Sequence, residues 1–220
     1  MNLPNYYLAD LPPEAELSPA MITEACLALK RNRTHYLAIR DTPSILRTLV
    51  RTAEDWLEPD YPYRKFALAE GPAHTGFSAQ IIASGLDNFF RQLTGDNLEA
   101  LLAQELGSGQ RLDSFCAGGS DSRTRRTALA TGPELIGHIT AGCVPNAAFM
   151  AIVLGLLTRS AQFIKCSRGG TFLPRVFLHS IYGSEPKLGA CIEMAGWRGG
   201  ERELESALFA QCDGVTATGS

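Results

Sequence analysis

Up to about residue 130, apolar side chains recur three and four positions apart, the spacing that gathers them on one face of an α-helix. Ile22, Ala25, Cys26 and Leu29 predict a helix over 20–33, opened by Pro19. Ile45, Leu46, Leu49, Val50 and Ala53 predict a second, from a Thr42-Pro43 start to Trp56. Residues 57–76, crowded with Tyr, Pro and Gly, read as irregular connection. Ile81, Ile82, Leu86, Phe89 and Phe90 predict a helix over 76–93. A further one is expected over 96–106, with Asp96 and Glu99 as a capping box and Gly107 as its stop.

The period changes at Gly132. Short apolar runs at 135–141, 161–166, 189–195 and 214–218 predict strands, and 146–159, 171–182 and 201–211 predict helices between them. Strands alternating with helices over short joints imply parallel pairing and right-handed crossovers. The expected fold is α/β: a mainly helical region over 1–131, then a doubly wound, mainly parallel nucleotide-binding sheet over 132–220, with ligands at the carboxyl ends of the strands. The helix over 146–159 is apolar nearly all round, with Phe149, Met150, Ile152, Val153 and Leu156, so it is buried on several sides. Its start, Gly142-Cys143-Val144-Pro145-Asn146, would bring free N–H groups and a positive dipole end to a ligand's phosphate or an oxyanion. A closely packed turn accounts for the same residues equally well.

Composition narrows the functions. With 20 basic against 23 acidic side chains and a net charge of -3, bulk charge gives no basis for nucleic-acid binding. Arg123, Arg125 and Arg126 lie in a Gly/Ser/Thr-rich stretch and read as a solvated loop, an anion site being the alternative. The 6 cysteines form no Cys-x-x-Cys pair and have no His at metal-ligand spacing. Reduced thiols in a cytoplasmic protein, and no metal site, are therefore expected. Residues 1–17 lack the basic-then-apolar order of a secretory signal. The longest apolar run, 147–157, is about half of the roughly 20 residues a membrane span needs.

Six stretches then stand together: His138-Ile139-Thr140-Ala141-Gly142-Cys143-Val144-Pro145, Leu154-Gly155-Leu156-Leu157, Lys165-Cys166-Ser167, Phe172-Leu173-Pro174, Trp197-Arg198-Gly199-Gly200 and Thr218-Gly219-Ser220. In order and spacing they resemble the LuxC-type acyl-CoA reductases, the fatty-acid reductase of bacterial bioluminescence and its non-luminous relatives in the aldehyde dehydrogenase superfamily. Gly85-Leu86-Asp87 and residues 98–107 extend the match, while the first 80 residues resemble the family only loosely.

The resemblance implies reduction of a fatty acyl thioester, acyl-CoA or acyl-protein, to an aldehyde by way of a cysteine thioester, with NADP(H) as cofactor and NAD(H) as the alternative. It implies that Lys165 donates to the adenosine ribose and that Ser167, Ala141, Gly142, Gly199 and Gly200 line the dinucleotide. Gly219 and Ser220 would meet its pyrophosphate. Arg168 stands where NAD-preferring members often carry Glu, and a cation there would favour a 2′-phosphate. Cys143 stands where the family has an oxyanion-binding Asn; a thiol is a weaker donor, and losing such a contact costs about 2.7 to 4 kcal/mol in comparable sites.

In the family the nucleophilic Cys follows the Thr-Gly-Ser turn, so the nucleophile is expected beyond residue 220 and the chain is expected to be an inactive fragment with an unfinished sheet. Cys166, Cys191 and Cys212 read as packing thiols, and His138 and His179 as structural histidines. A second copy of the chain, or an acyl-transferase and a synthetase, are the partners the resemblance suggests. Two other functions fit the same residues: a non-catalytic nucleotide-binding or interaction domain, and an acyltransferase or thioesterase using Cys143.

Overall fold

The computed structural model of the chain describes residues 1–12, 14–118, 121–124, 126–140, 145–167 and 169–218. Its first helix, α1 (Pro19–Asn32), is capped by Ser18, whose side chain accepts from the Met21 amide, with Pro19 in the first turn where a missing N–H costs nothing. In α2 (Thr42–Leu57) the cap is Asp41, one residue before the expected start, accepting from the Ser44 amide at 2.8 Å.

Residues 57–76 are not an irregular connection, because Pro62–Thr75 form helix α3. Pro62 sits in its first turn, and Gly76, with φ of 75°, ends it in the left-handed conformation that glycine adopts without strain. The composition that suggested a loop serves packing. A Cβ at Gly71 would come within 2.7 Å of the Ile82 side chain, so glycine lets α3 lie close against α4 (Ala79–Phe90). Helix α5 (Gly95–Leu106) is capped by Thr94, which accepts from Asn97 N at 3.2 Å, rather than by Asp96; Gly107 ends it as expected. A single turn, α6 (Asp121–Thr124), lies in the Arg123–Arg126 stretch, of which Arg125 is outside the described residues.

The sheet follows as β1 (Leu135–Thr140), α7 (Pro145–Leu157), β2 (Ala161–Cys166), α8 (Phe172–Ser184), α9 (Pro186–Gly189), β3 (Ile192–Gly196), α10 (Arg202–Phe209) and β4 (Gly214–Thr218). The third strand starts three residues later than expected because Pro186–Gly189 makes a helical turn first. All pairings are parallel, in the order β3-β2-β1-β4. Side chains alternate between faces along each strand. Ile164 and Cys166 join α7, α8 and the helices α2 and α4 in the larger apolar cluster. Ala161 and Phe163 join α1 and α10 in the smaller one on the other face. The connection leaves β1 toward β2 on the α7 face and returns to β4 from the α10 face. That reversal between β1 and β4 is the topological switch at which such sheets bind ligands.

Arg159 joins the helical region to the sheet. It follows α7 in a left-handed conformation, φ 55°, and its side chain is 9% exposed. Its guanidinium donates to Arg40 O at 2.6 Å, to Thr42 Oγ1 at 3.0 Å, and to Leu112 O and Asp113, while its own carbonyl accepts from Arg33 Nε at 2.7 Å. Removing one member of a buried charged network strands the others. Arg159→Met is therefore expected to lower unfolding free energy by about 3 kcal/mol in urea titrations; a loss under about 1 kcal/mol would refute this role.

Candidate functional site

All four strands end on one level. The register pairs Thr140 with Cys166 and with Thr218, and Cys166 with Gly196, so these four residues form a row along the carboxyl edge. At about 4.8 Å per strand the row runs about 14 Å, long enough for an extended ligand to cross the sheet. Helix α7 starts at Pro145, five residues beyond the end of β1, so its positive N-terminal end lies on the same side of the sheet as the row.

The depth of α7 on the sheet is fixed by a buried polar ladder. His138 on β1 contacts Thr216 Oγ1 through Nδ1 at 2.7 Å and Gln162 Oε1 through Nε2 at 3.1 Å. Gln162 Nε2 donates to Ile152 O of α7 at 3.1 Å, which makes Oε1 the acceptor. His138 then carries its proton on Nε2 and accepts from the Thr216 hydroxyl at Nδ1, so it is neutral and fully bonded. Burial pushes the imidazole down to about 4, against a smaller upward pull from the Gln162 hydrogen bond. Gly155 gives this amide its space, since a Cβ there would overlap the Gln162 side chain.

Beside the row, at the end of β3, lies a cavity of about 760 Å³. Gly196, Trp197, Glu201 and Thr171 form its sheet-side wall, and residues 8, 9, 11, 12 and 14–17 its opposite wall. Trp197 is buried and donates its backbone N–H to Cys166 O at 3.2 Å, continuing the strand pairing, but its indole Nε1 is buried without a partner. Lys165, 5% exposed, holds Nζ 5.6 Å from the centroid of that indole. Among the described residues it makes no ion pair with a carboxylate. A cation that among the described residues meets an aromatic ring and no carboxylate is one that a ligand's oxygen atoms would complete.

The residues singled out from sequence fall into three groups. Lys165 and Ser167 are at the end of β2, at the carboxyl edge. Gly199 and Gly200 lie in the exposed turn between β3 and α10; a Cβ on either meets nothing within 4 Å, and Gly200, at φ 91°, gives its N–H to Glu205 Oε1 at 3.0 Å. Ala141, Gly142, Cys143, Arg168, Gly219 and Ser220 are outside the described residues. The cavity wall from residues 8–17 and the orphaned indole went unread. Leu8, Leu11 and Leu17 are too few to show a period, and an unpaired N–H has no signature in sequence.

Four of the five described cysteines are held away from the thiolate form. Burial pushes Cys26 and Cys191 up to about 12 and Cys212 up to about 11, and it raises Cys166 despite Thr140 and Lys165 beside it. The free cysteines of the described residues form no disulfide, and no group of three metal-ligating side chains occurs among those residues. No helix among them is long and apolar enough to cross a membrane.

Among the described residues this arrangement fits a nicotinamide dinucleotide: a cation with no carboxylate partner, an indole N–H without an acceptor, and glycines at the next turn with open space before them. The ladder behind it has two measurable consequences. An unfolded chain protonates its histidine near 6.5, whereas native His138 resists until about 4. Its contribution to stability is thus complete above about 6.5 and is lost as pH falls toward 4, by about 3 kcal/mol in all. In urea titrations at pH 7 and 4.5, His138→Gln should show a shallower loss than the parent; an equal loss would reject the assignment. Replacing a helical Gly by Ala ordinarily stabilises by about 1 kcal/mol. Gly155→Ala should instead destabilise, by about 1 to 3 kcal/mol, because the Gln162 amide must move. A higher melting temperature for this variant would contradict the packing described.

Among solved structures, the chain is similar to PutA from Anabaena variabilis, described as an aldehyde dehydrogenase, with a TM-score of 0.69 at 19% identity over 94% of this chain and 40% of that one. It is similar also to Gox0499, whose structure concerns cofactor and substrate selection, with a TM-score of 0.61 at 12% identity over 92% of this chain and 46% of that one. At such identities the likeness is one of fold, aldehyde dehydrogenase-like, and the chain spans less than half the length of either protein. No curated protein matches in sequence. The family model described as acyl-CoA reductase (LuxC) matches residues 37–220, and the chain belongs to that family.

Proposed function

We propose that this chain provides the helical region, 1–131, and the dinucleotide-binding region, 132–220, of a reductase that converts a fatty acyl thioester, acyl-CoA or acyl-protein, to an aldehyde. The observation that carries the reading is Lys165: a buried lysine that has no carboxylate partner among the described residues, at the end of β2 in a family of acyl-CoA reductases. The bound cofactor supplies the reducing equivalent. The chain's own residues bind and orient it. Lys165 and Ser167 hold the adenosine ribose, Gly199 and Gly200 leave room for its backbone-close approach, and Ala141, Gly142, Gly219 and Ser220 meet the phosphates at the strand ends. Arg168 adds a second cation after β2, and on that ground NADPH is preferred to NADH.

Cys143 and the N–H groups that open α7 face the developing oxyanion of the thioester. The attacking thiolate comes from a cysteine outside these 220 residues. Four of the five described thiols support this, since burial raises Cys26, Cys166, Cys191 and Cys212 away from the thiolate form. The protein is assigned to the cytoplasm, with partners of the acyl-transferase or synthetase kind or a second copy of itself.

The test is aldehyde formation from a long-chain acyl-CoA and NADPH by the full-length parent protein, beside its Cys143→Asn variant and the isolated 220-residue chain. The parent should form aldehyde, Cys143→Asn should raise kcat at least tenfold by restoring an amide donor, and the isolated chain should bind dinucleotide without turnover. Absence of aldehyde from both parent and variant sinks the reductase reading. Turnover by the isolated chain sinks the placement of the nucleophile.

A further inference from the structure

Lys165 runs against the pattern of its strand face. Alternation along β2 puts its side chain on the face of Ala161 and Phe163, which belong to the apolar cluster that also holds Trp197, Ile22 of α1 and Leu208 of α10. A lysine at the end of such a row leaves its stem on the apolar surface and needs a partner for its ammonium. Its backbone is fixed from both sides. Lys165 pairs with Ile139 of β1 and with Ala195 of β3, and its carbonyl accepts from Thr140 Oγ1 at 3.2 Å. The four-carbon stem has no such restraint of its own, and no carboxylate among the described residues holds Nζ.

Trp197 supplies the missing restraint. Nζ lies over its ring, 5.6 Å from the centroid, within the range at which the negative face of an indole attracts a cation. The ring is itself held, since the Trp197 backbone N–H donates to Cys166 O at 3.2 Å and Phe163 packs on the indole with 6.1 Å between centroids. Phe163 and Cys166 both belong to β2, so the strand that carries the lysine also fixes the ring that faces it. An ammonium has three N–H donors; the ring takes one side of it and leaves the others for ligand oxygens. Trp197 also lines the cavity at the end of β3, which places it at the site as well as in the core beneath it.

We propose that Trp197 is a positioning residue: the face of its indole holds the Lys165 ammonium at the place from which it meets the ribose hydroxyls of the dinucleotide. This role rests on the reading of Lys165 as a ribose-binding residue. Fixing the ammonium before the ligand arrives removes an ordering cost from binding. What matters is the charge on the ring face and not its bulk, because an apolar side chain of the same size would fill the space without attracting a cation.

Truncating a buried tryptophan would disturb packing as well as position, so the experiment changes the ring's charge and keeps its shape. Trp197 is replaced, at that position alone, by mono-, di- and trifluorotryptophan, in which fluorine draws charge from the ring face with little change in size. Dissociation constants of NADPH and NADH for the 220-residue chain are measured by calorimetry. Each added fluorine should weaken both dinucleotides about twofold, to at least fivefold for the trifluoro ring. In Lys165→Met, which leaves no ammonium to hold, the same series should be level, an outcome that a merely structural tryptophan would not give. Trifluorotryptophan at Trp56, whose ring stacks on Phe90 at 5.0 Å, is the control and should match the parent. A level series in the unmodified lysine background, or a series equally steep in Lys165→Met, overturns the inference. If Lys165→Met binds too weakly to measure, the slope at Trp197 against the Trp56 control decides. Unchanged affinity in Lys165→Met, or failure of the unmodified chain to bind either dinucleotide, instead overturns the reading of Lys165, and the role of Trp197 with it.

Discussion

Helix α7 has no polar face, and much of the architecture follows from the need to cover it. Phe149, Ile152, Val153, Leu156 and Leu157 are all buried, more side chains than a sheet can cover from one side. The strands β1 and β2 take one side, and the others are taken by α8, α2 and α4 through a cluster of rings. Phe149 lies 4.7 Å from Phe177, 5.3 Å from Phe89 and 6.0 Å from Phe90, and Phe90 stacks on Trp56 at 5.0 Å. The helical region therefore shares its core with the sheet. Arg159 leaves α7 to bind two separate segments, 40–42 and 112–113, at this junction, which fixes where the helix ends as the ladder through Gln162 fixes how deep it sits.

That arrangement gives the carboxyl edge its stiffness. His138, Gln162 and Thr216 span β1, β2 and β4 two to four residues before the strand ends, so the residues that meet a ligand stand on a crosslinked base. A neutral histidine serves better there than a charged one. It donates once and accepts once, matching the Gln and Thr on either side, whereas an imidazolium would leave the Thr216 hydroxyl facing a second donor.

The sheet was legible in sequence because it depends on period. The runs at 161–166 and 214–218 match β2 and β4 residue for residue, and the apolar circumference of 146–159 marks α7 as a buried helix. Lys165 stands out in sequence only through a family resemblance, and its burial against Trp197 has no sequence signal. What escaped was structure that depends on contacts between distant parts of the chain. Helix α3 carries Pro and Gly that argue against a helix locally, and it is helical because Gly71 admits Ile82 and because Arg64 reaches both Trp56 O at 2.9 Å and Asp87 at 2.7 Å. The anchor of the N-terminal segment joins Asp10 to His179 across 169 positions, and neither residue has a local pattern that names the other.

The same long-range contacts build the cavity at the end of β3. A strand end with a buried lysine and a helix N-terminus would attract any phosphate, and such a site by itself binds nucleotides of every kind. The opposite wall of the cavity is a segment that has to be held at a fixed distance from those strand ends. Fixing it is costly in entropy for a segment with little helix or strand of its own, of the order of 1–2 kcal/mol per residue. A carboxylate buried under two backbone N–H donors and an imidazole offsets that cost at one point, and the Leu8–Glu193 and Tyr7–Leu178 bonds offset it at two more. The wall opposite the strand ends is thus held at the β3 edge by contacts with α8 and β3 that lie 169 to 185 positions further along the chain.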